Sequence, residues 1–431
     1  MRSAARRSLE LEVALPEGEI GMAAIILANG AVLDGTSNTR RENHHVLVED
    51  NRIKEVSDRP INSVSAEVID LAGRTLMPGL IDAHVHAIAV DASLARLAEQ
   101  PLTLTSLQAG RVLEGMLARG FTTVRDAGGG DGGLAEAIAQ GLIRGPRMFP
   151  SGQALSQTGG HGDLRPRTRS VVSCACCEYG AGLARIADGV DECRRAARDE
   201  LRKGATQIKI MASGGVASPY DPIWNLQYSD EEMRAIVEEA RSWHTYVLAH
   251  AYTPEAIRRA IDNGVRSIEH ANLIDAPTAA RVAEAGGFVV PTLVTYDALH
   301  RFGRGLGLAE ASLAKLAEVR EVGLHSLELL QRAGVKIGYG TDLLGPMHQY
   351  QSREFVIRAE AMAPWEVIRS ATAINAELLN RPGELGVIAA GARADLIVVD
   401  GDPLADISLL DGQGEHLSVI MKDGVLHKRL H

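Results

Sequence analysis

Two histidines, His84 and His86, close the apolar run Leu80–His86. Residues i and i+2 of a strand share a face, so both imidazoles can reach one ion. Imidazole and carboxylate are ligands that zinc, manganese, cobalt and nickel accept, and an open coordination position beside them gives catalysis. Taken alone, His-x-His is better read as a pair of exposed strand-end histidines. Other apolar runs end in the same way, however. Tyr246–Ala251 carries His250, Ser267–Ala271 carries His270 and Lys336–Asp342 closes on Asp342. Such groups gathered at one rim read as a metal centre. Asp342, next to an acidified water, could take its proton and later deliver it to a leaving group. Its structural alternative is to cap the next helix.

Lys209 stands between Ile208 and Ile210 in a further apolar run. Burial of its ammonium there costs desolvation energy. Reaction with carbon dioxide would turn the amine into a carbamate, an anion able to bridge two cations. A snorkelling or salt-bridged lysine is the alternative.

The elements that position these groups alternate in type. Strand patterns cover Leu80–His86, Thr122–Ala127, Arg147–Gly152, Gln207–Ala212, Tyr246–Ala251, Ser267–Ala271, Phe288–Leu293 and Lys336–Asp342. Helical periodicity lies between most of them, as in Leu107–Arg119, Val190–Lys203, Asp230–Trp243 and Pro254–Asn263. This alternation predicts an α/β chain with a (β/α)8 TIM-like barrel over residues 78–383, whose active site lies at the C-terminal strand ends. A doubly wound sheet is the runner-up, weakened because no Gly-x-Gly-x-x-Gly turn follows an early strand. Residues 23–77 and 384–431 share short strands and turn residues, and together read as one small β-sandwich domain. Residues 1–22 read as an N-terminal extension.

Composition limits the function classes. The 431 residues carry a formal charge of −10, with 45% hydrophobic and 23% charged residues, the balance of a globular protein. The acidic balance and 4% aromatics argue against nucleic-acid binding. No apolar run is long enough to span a bilayer, and the basic start Met1–Arg7 lacks the apolar stretch of an export signal, so the expected compartment is the cytoplasm. Four cysteines make no disulfide framework, and the cluster Cys174, Cys176 and Cys177 reads as structural or incidental.

The run Met77–His86, with Lys209, His250, His270 and Gly340-Thr341-Asp342, resembles the amidohydrolase superfamily. Thr122–Asp126, Gly159–Asp163, Ser213–Val216 and Ser267–His270 resemble its imidazolonepropionase-related branch, which contains prolidase-like dipeptidases and ochratoxin-hydrolysing amidases. The resemblance implies a binuclear site. His84, His86 and Asp342 would hold one divalent ion, His250 and His270 the other, and carboxylated Lys209 would bridge them. Zinc is the expected metal, with manganese, cobalt or nickel as alternatives. The implied reaction is hydrolysis of an amide in a dipeptide or N-acyl amino acid. Cyclic amides, carbamates and esters are rival substrates, and a metal-free scaffold is the non-enzymatic rival. Branch members are commonly multimeric, so a homo-oligomer, including an octamer, is expected.

By the same resemblance His161, in a Gly-rich loop, would contact the scissile carbonyl, and Tyr228 would contact substrate. Ser229 and Glu232 read as a helix capping box. Arg125, Arg165, Arg167 and Arg169 are candidates to bind a substrate carboxylate. Ile88, in the aliphatic segment Ala87–Val90, is a candidate lining residue of an apolar pocket.

Overall fold

A computed structural model of the chain describes residues 24–63, 65–165, 168, 182–218 and 220–429. The extension 1–22, together with Arg167, Arg169, Cys174, Cys176 and Cys177, lies outside the described residues.

The first five strands are β1 (Ile25–Val32), β2 (Arg41–Glu49), β3 (Arg52–Ser57), β4 (Glu67–Asp70) and β5 (Thr75–Pro78). They share an eight-stranded sheet with three strands from the other end of the chain. These are β16 (Leu396–Val399), β17 (Leu417–Lys422) and β18 (Val425–Lys428). The two ends meet where β5 pairs antiparallel with β16, Met77 opposite Ile397. Leu27, Val46, Leu76, Leu396 and Val419 are buried in one cluster on this sheet. Neither chain end alone has enough strands to bury such a face.

Between them, the named strands of the described residues pair in parallel. One sheet joins β6 (Leu80–Val85), β7 (Phe121–Asp126) and β8 (Arg147–Phe149). The other holds β9 (Ala154–Ser156), β10 (Ala184–Ile186), β11 (Ile208–Met211), β12 (Val247–Ala251), β13 (Ser267–His270), β14 (Phe288–Val290) and β15 (Lys336–Ile337), in the order β10-β9-β11-β12-β13-β14-β15. Backbone hydrogen bonds span both gaps between the sheets. On one side Ala83 N donates to Tyr339 O (2.9 Å) and Asp342 N to His84 O (2.8 Å). On the other, Thr206 N, just before β11, donates to Pro150 O, just after β8 (2.8 Å). Strand β6 is buried along its whole length, as expected of a parallel strand covered on both faces.

All eight sequence-read strands are present, most of them shorter than their patterns. The last shrinks to Lys336–Ile337, so Asp342 projects from the irregular segment after it. The extra strands β9 and β10 are three residues each, too short for a period to show. The helices Val190–Arg202, Asp230–Ser242 and Pro254–Asp262 fall where periodicity puts them; the one read over Leu107–Arg119 begins earlier, at Leu102, behind Pro101. Ser229 and Glu232 form the expected capping box. Among the described residues no helix is long and apolar enough to cross a membrane.

Candidate metal centre and substrate cavity

The imidazoles are anchored from behind, through one ring nitrogen each. His84 Nδ1 lies 2.7 Å from Glu269 Oε2. Glu269 is ionised: burial opposes its charge, but Arg125 and His84 hold its carboxyl well below the usual range. The carboxylate can only accept, so Nδ1 is the donor and Nε2 is left on the cavity side. That Nε2 is buried, makes no hydrogen bond and lies 3.4 Å from Asp342 Oδ1. His86 Nδ1 donates to Gly128 O (2.9 Å), which leaves Nε2 3.1 Å from the same Asp342 oxygen. His270 Nδ1 meets Thr292 Oγ1 at 2.8 Å. His250 is turned the other way: Nε2 donates to Gly214 O (3.3 Å), which frees Nδ1. An orienting partner on the far nitrogen is the usual support of a metal-binding histidine.

Ligand atoms of His84, His270 and Asp342 all lie within 4.8 Å of one another, a group that could hold a metal ion. The electrostatics suit one. Burial pushes His250 and His270 well below the ordinary imidazole range, so both are neutral and able to bind a cation. Burial opposes the charge on Asp342, but the His84 and His86 rings keep it ionised. Lys209 is 1% exposed, and burial lowers its ammonium to about 8 against the pull of Glu269 and Asp342. The unpartnered Nε2 of His84 is the atom that most needs a ligand, since a buried polar atom left unpaired costs about 1–3 kcal/mol.

Backbone strain gathers here too. His270, Ala271 and Asp342 hold positive φ of 76°, 54° and 53°, which non-glycine residues adopt only when their surroundings enforce it. Part of that enforcement comes from buried Asp82. Its Oδ2 accepts from Thr341 Oγ1 (2.6 Å) and Gln351 Nε2 (2.9 Å), and its Oδ1 from His84 N (3.0 Å). The strand with the His-x-His pair is thereby tied to the segment with Asp342.

His84, His86, Lys209, His250, His270 and Asp342 all line one cavity of about 430 Å3. His161 lines it as well, stacked on His250 with ring centroids 4.4 Å apart. Its Nδ1 lies 3.0 Å from Asp221 Oδ2, which leaves Nε2 for another partner. Arg165 is also in the lining, with Nε and Nη2 engaged by Asp163 (2.6 and 2.5 Å). Leu94, Leu183, Met211, Val216, Leu299 and Leu344 make much of the remaining wall apolar.

Three readings from the sequence are corrected. Tyr228 is buried beside Cys193 and is not in the cavity wall; its backbone, at φ 60°, turns the ring into the core. Ile88 packs close to Gly129 and Leu183, also outside the wall. Arg125 is fully buried, with Nη2 2.9 Å from both oxygens of Glu269 and Nε on Ala83 O (2.6 Å), so no substrate carboxylate can reach it. Among the described residues the tyrosines that line the cavity are Tyr252 and Tyr296, with hydroxyls 3.0 Å apart. Tyr252 stacks on His270 (centroids 5.2 Å apart, 17° between planes). It stands two residues after His250, the same i, i+2 spacing that singles out His84 and His86. Glu269, adjacent to His270, is the other functional residue without an assigned role in the sequence reading.

Residues 75–426 match the sequence profile of the amidohydrolase family. The chain belongs to the amidohydrolase family. An ochratoxinase of Aspergillus niger is 35% identical over 365 residues, spanning 82% of this amidohydrolase and 75% of that enzyme. The crystal structure of a prolidase complexed with N-methylphosphonate-L-proline is 53% identical, with a TM-score of 0.93 over 94% of this chain and 100% of that one. A Xaa-Pro dipeptidase crystallised with methionine in its active site is 31% identical, with a TM-score of 0.84 over 94% and 100% of the two chains. This amidohydrolase is therefore a hydrolase acting on C–N amide bonds. The family generally uses divalent metal ions, and the His/Asp group suits that chemistry.

Proposed function

We propose that this amidohydrolase uses two divalent metal ions to cleave the amide bond of a dipeptide or N-acyl amino acid that bears a free carboxylate. The observation that carries this reading is one cavity lined by four imidazoles, a buried lysine and an aspartate, each imidazole anchored through its far nitrogen. His84, His86 and Asp342 would hold one ion, His250 and His270 the other, and Lys209, as a carbamate, would bridge them. A lysine whose ammonium is lowered to about 8 offers free amine to carbon dioxide near neutral pH. Nitrogen-rich ligation favours zinc. The bonds from Ala83 to Tyr339 and from Thr206 to Pro150 support reading the two parallel sheets as arcs of one (β/α)8 barrel over 78–383, with 23–77 and 384–431 as the second domain.

Such ions, when bound, supply Lewis acidity and acidify water. The protein's own groups do the rest. Asp342, an ionised carboxylate at the cavity floor, takes the proton of the attacking water and hands it to the departing nitrogen. His161 presents Nε2 to the carbonyl oxygen as charge builds there. The Tyr252 phenol, kept protonated by burial, is placed to donate a hydrogen bond. Among the described residues Arg165 is the guanidinium of the cavity wall; Nε and Nη2 face Asp163, and it is suited to a substrate carboxylate. The aliphatic wall suits an apolar side chain.

The test is a substrate panel on zinc-loaded protein: Met-Pro, ochratoxin A and the C-terminal amide of each. Hydrolysis of the free acids, a sharp loss with the amides and two metal ions per chain are expected. Equal rates for acid and amide would overturn the carboxylate reading. One ion or fewer per chain after loading would overturn the binuclear one.

A further inference from the structure

Lys315 sits on the helix Glu310–Arg320, far along the chain from the metal ligands and outside the cavity wall. Its ammonium donates to three backbone carbonyls of the loop that follows β11: Gly215 O (2.6 Å), Ser218 O (2.6 Å) and Asp221 O (2.7 Å). A lysine has three N–H donors, so all are used. Three carbonyl oxygens pointed at one spot repel each other unless a cation sits between them, and each lone pair left unpaired costs free energy.

That loop is the mounting of two cavity imidazoles. Asp221 Oδ2 accepts from His161 Nδ1 (3.0 Å) and from Gly215 N (3.0 Å). Gly214 O accepts from His250 Nε2 (3.3 Å). The loop also touches the rings directly. A Cβ on Gly215 would stand 2.4 Å from His161 Cε1 and 2.7 Å from His250 Nε2, and one on Gly214 would stand 1.8 Å from Pro222 O. A stretch that must be glycine at two adjacent positions has little side-chain packing to hold its own shape. Gly214 N donates to Asn225 O (2.9 Å), and beyond that bond the loop is held by Asp221 within and by Lys315 without.

We propose that Lys315 is a positioning residue for hydrolysis: it clamps Gly215, Ser218 and Asp221 so that Asp221 presents His161 to the scissile carbonyl. This rests on the reading of His161 given above. A displacement of about 1 Å in a reacting group can cost on the order of 10²-fold in rate, so a clamp on the mounting has leverage on turnover.

The experiment compares zinc-loaded wild type, Lys315→Met, His161→Asn and the double variant with Met-Pro and ochratoxin A, using whichever is turned over faster. Lys315→Met keeps the length of the side chain and removes its donors. Its kcat should fall at least tenfold with KM changed less than threefold and zinc content unchanged, about the scale expected for a misplaced group. Hydrogen–deuterium exchange should rise over peptides spanning 212–227. The double variant should be no slower than His161→Asn alone. In Lys315→Ala, added n-propylammonium should restore kcat. Should Lys315→Met precipitate, Lys315→Leu, which also lacks donors, is read in its place. A wild-type kcat in the lysine variant, or losses that add to those of His161→Asn, would overturn the clamp while leaving the role of His161 standing. A wild-type kcat in His161→Asn would overturn both.

Discussion

Glu269 Oε2 accepts the Nδ1 proton of His84 at 2.7 Å, and the same carboxylate is gripped by buried Arg125. One cavity-lining imidazole is thus oriented by an ion pair that never meets solvent. Glu269→Gln should lower metal affinity about 10- to 100-fold, as loss of an orienting partner does elsewhere. It should also destabilise the fold by about 3–5 kcal/mol, because Arg125 is left charged and unpaired. Chelator competition and urea denaturation read the two effects separately.

Asp342 sits between His84 Nε2 (3.4 Å) and His86 Nε2 (3.1 Å). Asp342→Asn keeps the size and loses the proton acceptor. Turnover should fall by on the order of 10²–10⁴-fold, the usual worth of a general acid–base group, while much of the metal is retained. Near-normal rates with full metal content would sink the assigned role.

The exchange of tyrosines is a sharp contrast. Tyr252 lines the cavity and Tyr228 does not. Tyr252→Phe should lower kcat by on the order of 10²-fold if its phenol donates to developing charge. Tyr228→Phe should leave kcat within twofold. Steady-state kinetics on the two variants decides between them.

His348 makes stability pH-dependent. It is buried, its Nε2 donates to Ala89 O (3.1 Å), and burial lowers its pKa from 6.5 to about 4. The folded protein holds it neutral while the unfolded chain protonates it. Its contribution is therefore complete above pH 6.5 and is lost as pH falls toward 4, by about 1.4 kcal/mol per pH unit across that window. His348→Gln keeps a donor for Ala89 and removes the titration. Between pH 6.5 and 4.5 the variant should lose about 2–3 kcal/mol less stability than wild type in urea melts.

Much was written in the order of residues. The i, i+2 pair His84 and His86, the strand-end His250 and His270, the Thr341-Asp342 tail and the alternating strand and helix patterns state their faces through local periodicity alone. Tyr252 was equally legible, two places beyond His250. What periodicity cannot state is which distant side chain meets which. The Arg125–Glu269 pair spans 144 positions and the clamp of Lys315 on Gly215 spans 100. Those meetings depend on the register between neighbouring strands and on how each helix is rotated onto them, and both are set by packing of the whole core. The same packing turned Tyr228 inward and spent Arg125 on Glu269, although its strand pattern resembles that of a residue facing substrate. The kinds of ligand were thus local information. Their supports, and the choice between a cavity wall and a core, belonged to the tertiary fold.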